Sequence, residues 1–359
     1  MVTIKDIAKF TGVSPSTVSI VLRGLSEKRN ISEATKKKVL EAAKTLGYTP
    51  NMQSKLLRSN LPNLPVITLF WDSTARQYIL GRFLKGIQDS IVSNGYSYDL
   101  QVKPYAVGHL EESMTARTLM GSNGIIICNA SKKDIEFLEN NDLSVPVVLY
   151  NRYSDKYPTV NMNDREIGKI AADTFIRHGK KRPALLTSKA DFDGMKIREE
   201  EFEHILKENK IADIQKVIVD DTPNGGYKGA LEIIDTKAGT KTYEKTSTTS
   251  SEKASSTENT LALPDCLLCS SDNIALGALK AFHDKGIQIP QQIELISIGN
   301  GSKELEEFST PSLSVVSLPM EAMADACLTR ISRAITELSL VPDSREFSAE
   351  YISRESCPY

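Results

Sequence analysis

Residues 3–22 read TIKDIAKFTGVSPSTVSIVL, and this stretch predicts two short helices joined by a tight turn. In the first helix the apolar residues Ile4, Ile7 and Ala8 lie on one stripe, and Thr3 before them is a good N-cap. Gly12 then supplies the tight turn that reverses the chain. The pattern indicates a helix-turn-helix.

The second helix begins after Ser14, a good N-cap, with Pro15 at the first helical position, where a missing N–H costs nothing. Its apolar residues Val18, Val21 and Leu22 are expected to face the first helix. The residues expected to point outward, where the major groove of DNA would lie, are Pro15, Ser16, Ser19 and Ile20.

A third helix is predicted from Ser32 to Leu46, with Gly47 as its C-cap. The segments TIKDIAKFTGVSPSTVS and ISEATKKKVLEAAKTLGYTPN, in this order and spacing, resemble the N-terminus of the lactose-repressor (LacI/GalR) family of bacterial transcription regulators. The resemblance implies an all-α helix-turn-helix DNA-binding domain over residues 1–50. The alternative is a small helical domain that binds nothing.

The charge distribution agrees with a DNA-binding domain at residues 1–50, which is called the head below. Residues 1–60 contain 11 Lys and Arg but only 4 Asp and Glu, so this segment carries a net charge of +7. Since the whole chain carries −2, the remainder carries −9. A basic head on an acidic body is expected of a phosphate-binding module joined to a partner domain. The alternative is that these charges form an ordinary solvated face.

The second helix offers few groups that read DNA bases. The family commonly has Arg where this chain has Ile20, so a bidentate contact with a base is not available there. Ser16 and Ser19 can hydrogen-bond to base edges or phosphates, and Ile20 can contact a thymine methyl group. Base specificity is therefore expected to depend on DNA shape and on the segment after residue 50. The predicted DNA-binding residues are Thr3, Ser14, Pro15, Ser16, Thr17, Ser19, Ile20, Asn30, Asn51, Ser54, Lys55 and Leu57.

Residues 51–63 resemble the family's hinge helix and linker. A helix of about two turns is too short to be stable alone, but two copies can fold together on the minor groove across a dimer axis. The resemblance places Leu57 as the wedge between base pairs. A homodimer on pseudo-palindromic operator DNA is therefore expected. The alternative is a simple linker.

Composition limits the other functions that the chain can have. At 359 residues the chain can hold two or three folding units. It has no signal-peptide pattern and no apolar run of about 18 residues, which predicts a cytoplasmic protein without a membrane segment.

Neither a metal nor a cofactor is predicted. Cys266 and Cys269 form a CxxC inside an apolar run, and on a strand their side chains point to opposite faces, so buried reduced thiols are expected. The histidines, which show no metal-ligand spacing, are His109, His178, His204 and His283.

From Val66 onward, short apolar runs alternate with helical patterns, which predicts βαβ units and parallel sheets. The predicted strands are Val66–Trp71, Tyr96–Lys103, Gly124–Cys128, Pro146–Tyr150, Pro183–Thr187, Lys216–Val219, Cys266–Ser270 and Ile293–Ile298. The helices predicted between them include Tyr78–Ser93, Asp164–His178, Met195–Glu208, Asn224–Asp235 and Asn273–Lys285. Two groups of about four strands indicate an α/β core of two doubly wound parallel-sheet subdomains, with a ligand cleft at the carboxyl ends of the strands.

The core also resembles the lactose-repressor family in GIIIC, VPVVLYNR, HGKKRPALLT, SSDNIALGALKAFHDKGIQIP and TPSLSVVSLP. This resemblance implies a periplasmic-binding-protein-like core with three chain crossovers. The first subdomain is then residues 64–161 plus 318–342, and the second is residues 162–317 plus 343–359. Residues 236–262 have no counterpart in the family, and their Ser-, Thr- and Lys-rich sequence predicts a disordered insertion, with a partner-binding segment as the alternative.

The resemblance places a small-molecule effector, a sugar or sugar derivative, between the core subdomains. Sugar sites need an aromatic platform and planar polar groups that grip hydroxyl pairs. Arg198 lies where the family has its main hydroxyl- or phosphate-gripping Arg, although a surface ion pair is the alternative. An acidic residue is usual where this chain has Gly299 and Asn300, which argues against an ordinary sugar. The predicted effector-binding residues are Trp71, Asp72, Ser73, Asn151, Arg198, Asp272 and Asn300.

These features favour a homodimeric, ligand-responsive transcriptional regulator, in particular a repressor, over two other classes of protein. A sugar-binding receptor is opposed by the intact DNA-binding head and the missing signal peptide. An enzyme on the same α/β core is opposed because the sequence lacks a nucleophile elbow, a P-loop and a GxGxxG motif after a strand.

Overall fold

The computed structural model describes residues 4–22, 26, 29, 31–46, 64–73, 77–189, 193–235, 263–299, 301–337 and 342–359. The chain divides into two compact units, Met1–Leu64 and Pro65–Tyr359. Within the described ranges, no helix is long and apolar enough to cross a membrane. The predicted hinge helix and linker of residues 51–63 and the predicted insertion of residues 236–262 lie outside the described residues.

The N-terminal unit contains the helices α1 (Ile4–Thr11), α2 (Pro15–Leu22) and α3 (Glu33–Thr45). Gly12, between α1 and α2, has a φ of 67°, in the left-handed region that favours glycine. The Ser32 hydroxyl accepts a hydrogen bond from the Thr35 backbone N–H at 3.3 Å and so caps α3. The predicted helix-turn-helix is therefore confirmed. Its small apolar core contains Ile7, Ala8, Val18, Val21, Val39, Ala42 and Ala43.

The larger unit forms two six-stranded sheets from its described residues. The strands of the first sheet are β1 (Val66–Asp72), β2 (Asp99–Tyr105), β3 (Gly124–Cys128), β4 (Val147–Tyr150), β5 (Thr159–Met162) and β11 (Ser344–Phe347). They are ordered β11-β5-β4-β3-β1-β2, and neighbouring strands are parallel. The helices of this subdomain are α4 (Gln77–Asn94), α5 (Leu110–Ser113), α6 (Ala116–Met120), α7 (Lys132–Asn140) and α13 (Met320–Glu337).

The strands of the second sheet are β6 (Pro183–Ser188), β7 (Gln215–Val219), β8 (Cys266–Cys269), β9 (Glu294–Gly299), β10 (Ser314–Ser317) and β12 (Glu350–Ile352). They are ordered β12-β10-β9-β8-β6-β7; β12 is antiparallel to β10, and the other neighbours are parallel. The helices of this subdomain are α8 (Asp164–Arg177), α9 (Asp193–Glu208), α10 (Pro223–Asp235), α11 (Asp272–Asp284) and α12 (Lys303–Phe308). The predicted α/β core with two parallel-sheet subdomains is confirmed.

The third crossover lies later in the chain than the sequence predicted. The expected boundary was Pro342, but β11 pairs in parallel with β5 in the first sheet, and β12 then pairs with β10 in the second. The chain therefore crosses between Phe347 and Glu350. The physical reason is that the backbone groups on the outer side of β5 need partners, which Asp343 and Phe347 supply through their carbonyl oxygens.

All eight predicted strands are present, with ends within three residues of the prediction. The four strands that the sequence did not reveal are β5, β10, β11 and β12. Each of these has three or four residues and includes polar ones, so it does not show as an apolar run, whereas β4 and β8, with four residues each, are continuous apolar runs. Within the described ranges each sheet therefore has six strands, whereas about four were expected.

Helices α10 and α11 approach each other closely because glycines line their contact. A Cβ atom at Gly277 of α11 would overlap the Pro223 carbonyl oxygen of α10, and one at Gly226 of α10 would overlap the Ile274 carbonyl oxygen of α11. These obstacles are backbone atoms, which cannot move aside as a flexible side chain can. The pair of helices therefore tolerates no side chain at either position.

We expect Gly277→Ala to destabilise the core by about 1–3 kcal/mol, because the new methyl group must push the two helices apart. Gly81 of α4 is a matched control, since a Cβ there has no atom within 4 Å. Gly81→Ala should leave stability unchanged or raise it by up to about 1 kcal/mol. Thermal unfolding of both variants measures the difference, and equal melting temperatures would contradict this description of the contact.

Candidate functional site

Helix α2 presents one face to solvent and the other to the core of the head. The Ser14 hydroxyl accepts a hydrogen bond from the Thr17 backbone N–H at 3.1 Å and so caps the helix. Val18 is fully buried. The side chains left on the other face are exposed in Pro15 and Ser16 and partly exposed in Ser19 and Ile20. This face is available to a partner, and its contacts with DNA stay a prediction.

Exposed lysines lie on the two helices that flank α2. Lys5 and Lys9 are on α1, and Lys37 and Lys38 are on α3. Such side chains can bind phosphate groups of a nucleic acid. The predicted DNA-binding residues that lie outside the described part of the chain are Thr3, Asn30, Asn51, Ser54, Lys55 and Leu57.

In the core, Arg198 of α9 lies in a buried ion pair. Its Nε donates a hydrogen bond to Asp164 Oδ1 at 2.7 Å, and both side chains are 7% exposed. Gly168 of α8 permits this contact, because a Cβ there would overlap the Arg198 carbonyl oxygen and hold the two helices apart. Arg198 thus forms an ion pair, as one interpretation of the sequence held, but the pair is buried and does not lie at the surface.

A small cavity adjoins Arg198. It has room for about one water molecule. It lies between α9 and the strands of the second sheet, and its lining residues are Leu185, Met195, Arg198, Glu199, Leu268, Ser270 and Ile298. A sugar is much larger than one water, so binding next to Arg198 requires this space to widen.

On the first subdomain, polar residues follow the carboxyl end of β4. Asn151 has a φ of 56°, and its N–H donates a hydrogen bond to the Val160 carbonyl oxygen. Arg152 donates hydrogen bonds to the carbonyl oxygens of Ala130 and Asn151. Burial lowers the pKa of Arg152, and the negative charges of Asp164 and Asp72 oppose that shift. Arg152 therefore lies within electrostatic range of carboxylates from both subdomains.

The end of β1 is largely buried. Trp71 is 4% exposed, and its ring lies 5.8 Å from that of Phe83, centroid to centroid. The indole Nε1 is buried and has no hydrogen-bond acceptor among the described residues. Asp72 is also buried, whereas Ser73 is exposed and its N–H donates to the Tyr105 carbonyl oxygen at 2.8 Å. The tryptophan is therefore packed in the core and does not form an open platform for a sugar.

Asp272 has partners inside its own subdomain. Its Oδ1 accepts a hydrogen bond from the Ser297 hydroxyl at 2.7 Å, and its Oδ2 accepts one from the Gly301 N–H at 2.7 Å. This carboxylate therefore orders the segment that follows β9, and its contact with an effector stays a prediction. Asn300, the remaining predicted effector residue, lies outside the described residues.

Arg82 of α4 links the two subdomains and was not found from the sequence. Its Nε and Nη2 donate to the Glu321 carboxylate at 2.8 and 2.7 Å. Nη2 also donates to the Leu318 carbonyl oxygen at 3.0 Å, and Nη1 to that of Gly301 at 3.4 Å. Burial alone would lower the pKa of Arg82, but the hydrogen bond and charge of Glu321 raise it.

The sequence prediction also missed Asp164 as a site residue. Its position directly after Asn163, the N-cap of α8, offered a local signal.

Two family models match this chain. The model described as "Bacterial regulatory proteins, lacI family" matches residues 3–51, and the one described as "Periplasmic binding protein-like domain" matches residues 172–357. Among curated relatives, the chain is 30% identical to a probable HTH-type transcriptional repressor, ExuR, of Bacillus subtilis (strain 168). That alignment runs over 361 residues and covers 97% of each chain.

Two of the solved structures that this chain resembles are described as transcription regulators or repressors. A LacI family transcription regulator from Clostridium acetobutylicum is 29% identical, with a TM-score of 0.69, covering 81% of this chain and 99% of that one. The lac repressor dimer bound to operator and the anti-inducer ONPF is 18% identical, with a TM-score of 0.66, covering 100% and 99%. At that identity the second comparison bears on the fold alone.

We expect Asp164→Ala to lower the free energy of unfolding of the core by about 3–5 kcal/mol, because it removes the carboxylate that pairs with the buried Arg198 guanidinium. A matched control is Asp89→Ala, which removes the partner of Lys85 in an exposed pair at 2.7 Å. That change should cost less than about 1 kcal/mol. Urea-induced unfolding measures both, and a loss at Asp164 no larger than at Asp89 would show that the Arg198 pair is solvated.

Proposed function

Because this chain belongs to the LacI family of bacterial regulatory proteins and is a DNA-binding transcriptional repressor, we propose that it acts as a homodimer on a pseudo-palindromic operator. A small-molecule effector, a sugar or sugar derivative, binds between the two subdomains of its core and changes its affinity for the operator. The match of residues 3–51 to the family model carries the DNA-binding part of this proposal.

The chemistry of the head supports contacts with phosphates more than contacts with bases. Residues 1–60 carry a net charge of +7, and two copies in a dimer double it. On α2 the exposed side chains of Pro15 and Ser16 are small, and Ile20 has no hydrogen-bonding group. Operator choice is therefore expected to depend on DNA shape together with a few serine contacts.

We expect fluorescence anisotropy with DNA from upstream of the neighbouring genes to show specific binding to a site of about 14–20 base pairs. Affinity should fall by about 1000-fold between 50 and 200 mM salt, because Lys and Arg release counterions from the phosphates. Ser16→Glu should weaken binding by at least about 10-fold, since it places a negative charge on the exposed face of α2.

A matched control for Ser16→Glu is Gln291→Glu, which adds the same charge to an exposed position in the core. It should leave operator affinity unchanged. An affinity that does not depend on salt would refute the phosphate-binding head. Equal losses in the two variants would exclude α2 from the DNA interface.

The effector part of the proposal rests on the buried pair of Arg198 and Asp164. A charged pair with both side chains 7% exposed is costly to build, and this one lies beside a cavity in the second subdomain. Arg152, from the first subdomain, lies within electrostatic range of the same Asp164. Planar guanidinium groups suit a ligand that offers paired hydroxyl, carboxylate or phosphate oxygens. This donor set supports a sugar or a sugar derivative.

The buried Trp71 indole N–H gives further support, because it lacks an acceptor among the described residues. A buried donor without a partner costs about 1–3 kcal/mol, and a ligand oxygen would remove this cost. Since the cavity at Arg198 has room for about one water, the effector would bind a wider arrangement of the core. The effector then acts by favouring one of two arrangements that differ in operator affinity.

We expect Arg198→Lys to remove most of the response to the effector while DNA binding without effector persists. Lysine keeps the charge next to Asp164 but lacks the planar fork of donors. In the wild-type protein the effector should change operator affinity by about 5–150-fold. The effector is first found by thermal shift with a panel of monosaccharides, sugar acids and sugar phosphates, and the response is then measured by anisotropy.

Arg165→Lys is the matched control, because Arg165 pairs with Glu201 on the surface at 2.9 Å and is 73% exposed. Its response should equal that of the wild type. A normal response in Arg198→Lys would remove Arg198 from the effector site. If no compound of the panel bound or changed operator affinity, the sugar-type effector would be refuted.

A further inference from the structure

Three side chains of metal-binding type meet at the amino end of the second sheet, at the end opposite the carboxyl ends of its parallel strands. His178 follows α8, Glu294 begins β9, and Cys357 lies in the C-terminal segment after β12. Their ligand atoms lie within 4.8 Å of one another. His178 Nδ1 is 2.7 Å from Glu294 Oε2, while Cys357 Sγ is 3.2 Å from that oxygen and 3.7 Å from the same nitrogen.

We propose that His178, Glu294 and Cys357 bind a divalent transition-metal ion, with zinc as the best fit. Bonds of about 2.0–2.2 Å to nitrogen and oxygen and about 2.3 Å to sulfur place tetrahedral ligands about 3.4–3.6 Å apart. The two distances that involve Cys357 Sγ, 3.2 and 3.7 Å, already lie near this range. The nitrogen–oxygen distance of 2.7 Å must widen by about 0.7 Å, which small side-chain rotations provide.

The position of Cys357 is fixed by its backbone. Its N–H donates a hydrogen bond to the Ser314 hydroxyl at 3.0 Å, and its carbonyl oxygen accepts one from the Tyr351 hydroxyl at 2.6 Å. The preceding residue is also held, since the Ser356 N–H donates to the Ser312 carbonyl oxygen at 2.9 Å. The sulfur is therefore held next to Glu294 by contacts that need no metal, so little ordering is required when an ion binds.

Glu294 can bind an ion through one oxygen while keeping its present partner on the other. Its Oε1 forms an ion pair with Lys180 at 2.9 Å, and its Oε2 faces His178 and Cys357. Burial would raise the pKa of Glu294, but hydrogen bonds from His178, Lys180 and Cys357 lower it. The group is therefore a carboxylate at neutral pH, and Lys180 orients it as outer-shell partners of metal ligands commonly do.

The cysteine must lose a proton when the ion binds. Burial raises the pKa of the Cys357 thiol to about 12, so the sulfur is protonated before the ion arrives. The ion replaces that proton on Sγ, and one proton leaves to solvent. Thiolate and carboxylate together balance the two positive charges of the ion. His178 binds through Nδ1 as the neutral tautomer that carries its proton on Nε2, so the proton on Nδ1 is exchanged through solvent for one on Nε2, and water fills the fourth position of the ion. The bound ion would join the C-terminal segment to α8 and β9.

The test uses the full chain, treated with a chelator and then titrated with Co²⁺, whose thiolate complexes absorb in the near ultraviolet. We expect one equivalent of Co²⁺ to produce this absorption and Zn²⁺ to remove it. Cys357→Ala should abolish the absorption. Cys327→Ala is the matched control, because Cys327 is equally buried but lies in α13 of the first subdomain, and it should keep the full signal.

A second measurement covers the case in which Cys357→Ala does not fold. Zn²⁺ should raise the melting temperature of the wild-type protein and of Cys327→Ala by about 5 °C at saturation. His178→Gln should lose at least about 10-fold in Co²⁺ affinity, because it removes a direct ligand. The proposal is overturned if the folded wild-type protein shows no thiolate absorption with Co²⁺. It is also overturned if the absorption or the shift persists unchanged in the Cys357 or His178 variants.

Discussion

Parallel strands all have their carboxyl ends on the same side of a sheet, and this constraint decides where the polar groups of the core can meet. Asp72 ends β1 and Arg152 follows β4, so both lie at the carboxyl ends of the strands of the first sheet. The crossover after β5 leads directly into α8, whose first residue is Asp164. Carboxylates from both subdomains thereby come within range of Arg152, although they are far apart in sequence.

The arginines of the core have different tasks because of where their helices lie. Arg198 pairs with Asp164 inside its own subdomain, so this ion pair does not join one subdomain to the other. Arg82 instead binds Glu321 firmly and contacts Gly301, in the other subdomain, at the longer distance of 3.4 Å. A change in the arrangement of the subdomains would alter the Gly301 contact first. Arg82 is therefore a group through which a movement of one subdomain can act on the other.

The sequence revealed features that rest on local signals. Gly12 and Ser14 identify the helix-turn-helix because a left-handed turn and an N-cap need those residue types. The predicted strands show as apolar runs between helical patterns, whereas β11 and β12 are short and contain charged residues, so they form no such run. The third crossover was placed wrongly for the same reason, since β11 was not recognised.

Features that depend on contacts between residues far apart in the sequence could not be predicted from such local signals. Trp71 was a reasonable candidate for a sugar platform, but whether its ring is open or covered by Phe83 depends on how α4 packs. Spacing along the chain predicted no metal site, because His178 and Glu294 are 116 residues apart and Cys357 follows 63 residues later. The fold alone brings such residues together.

The outer strands β11 and β12 have a consequence for how the protein is made. β11 forms one edge of the first sheet and β12 one edge of the second, and both belong to residues 344–352. Because β11 and β12 follow β5 and β10 in the chain, the edges of β5 and β10 lack these partners on the ribosome until residues 344–352 have been synthesised. Unpaired strand edges are the surfaces through which nascent chains associate wrongly. Both sheets therefore receive an outer strand from the same short segment, which is synthesised long after the other strands of the first sheet.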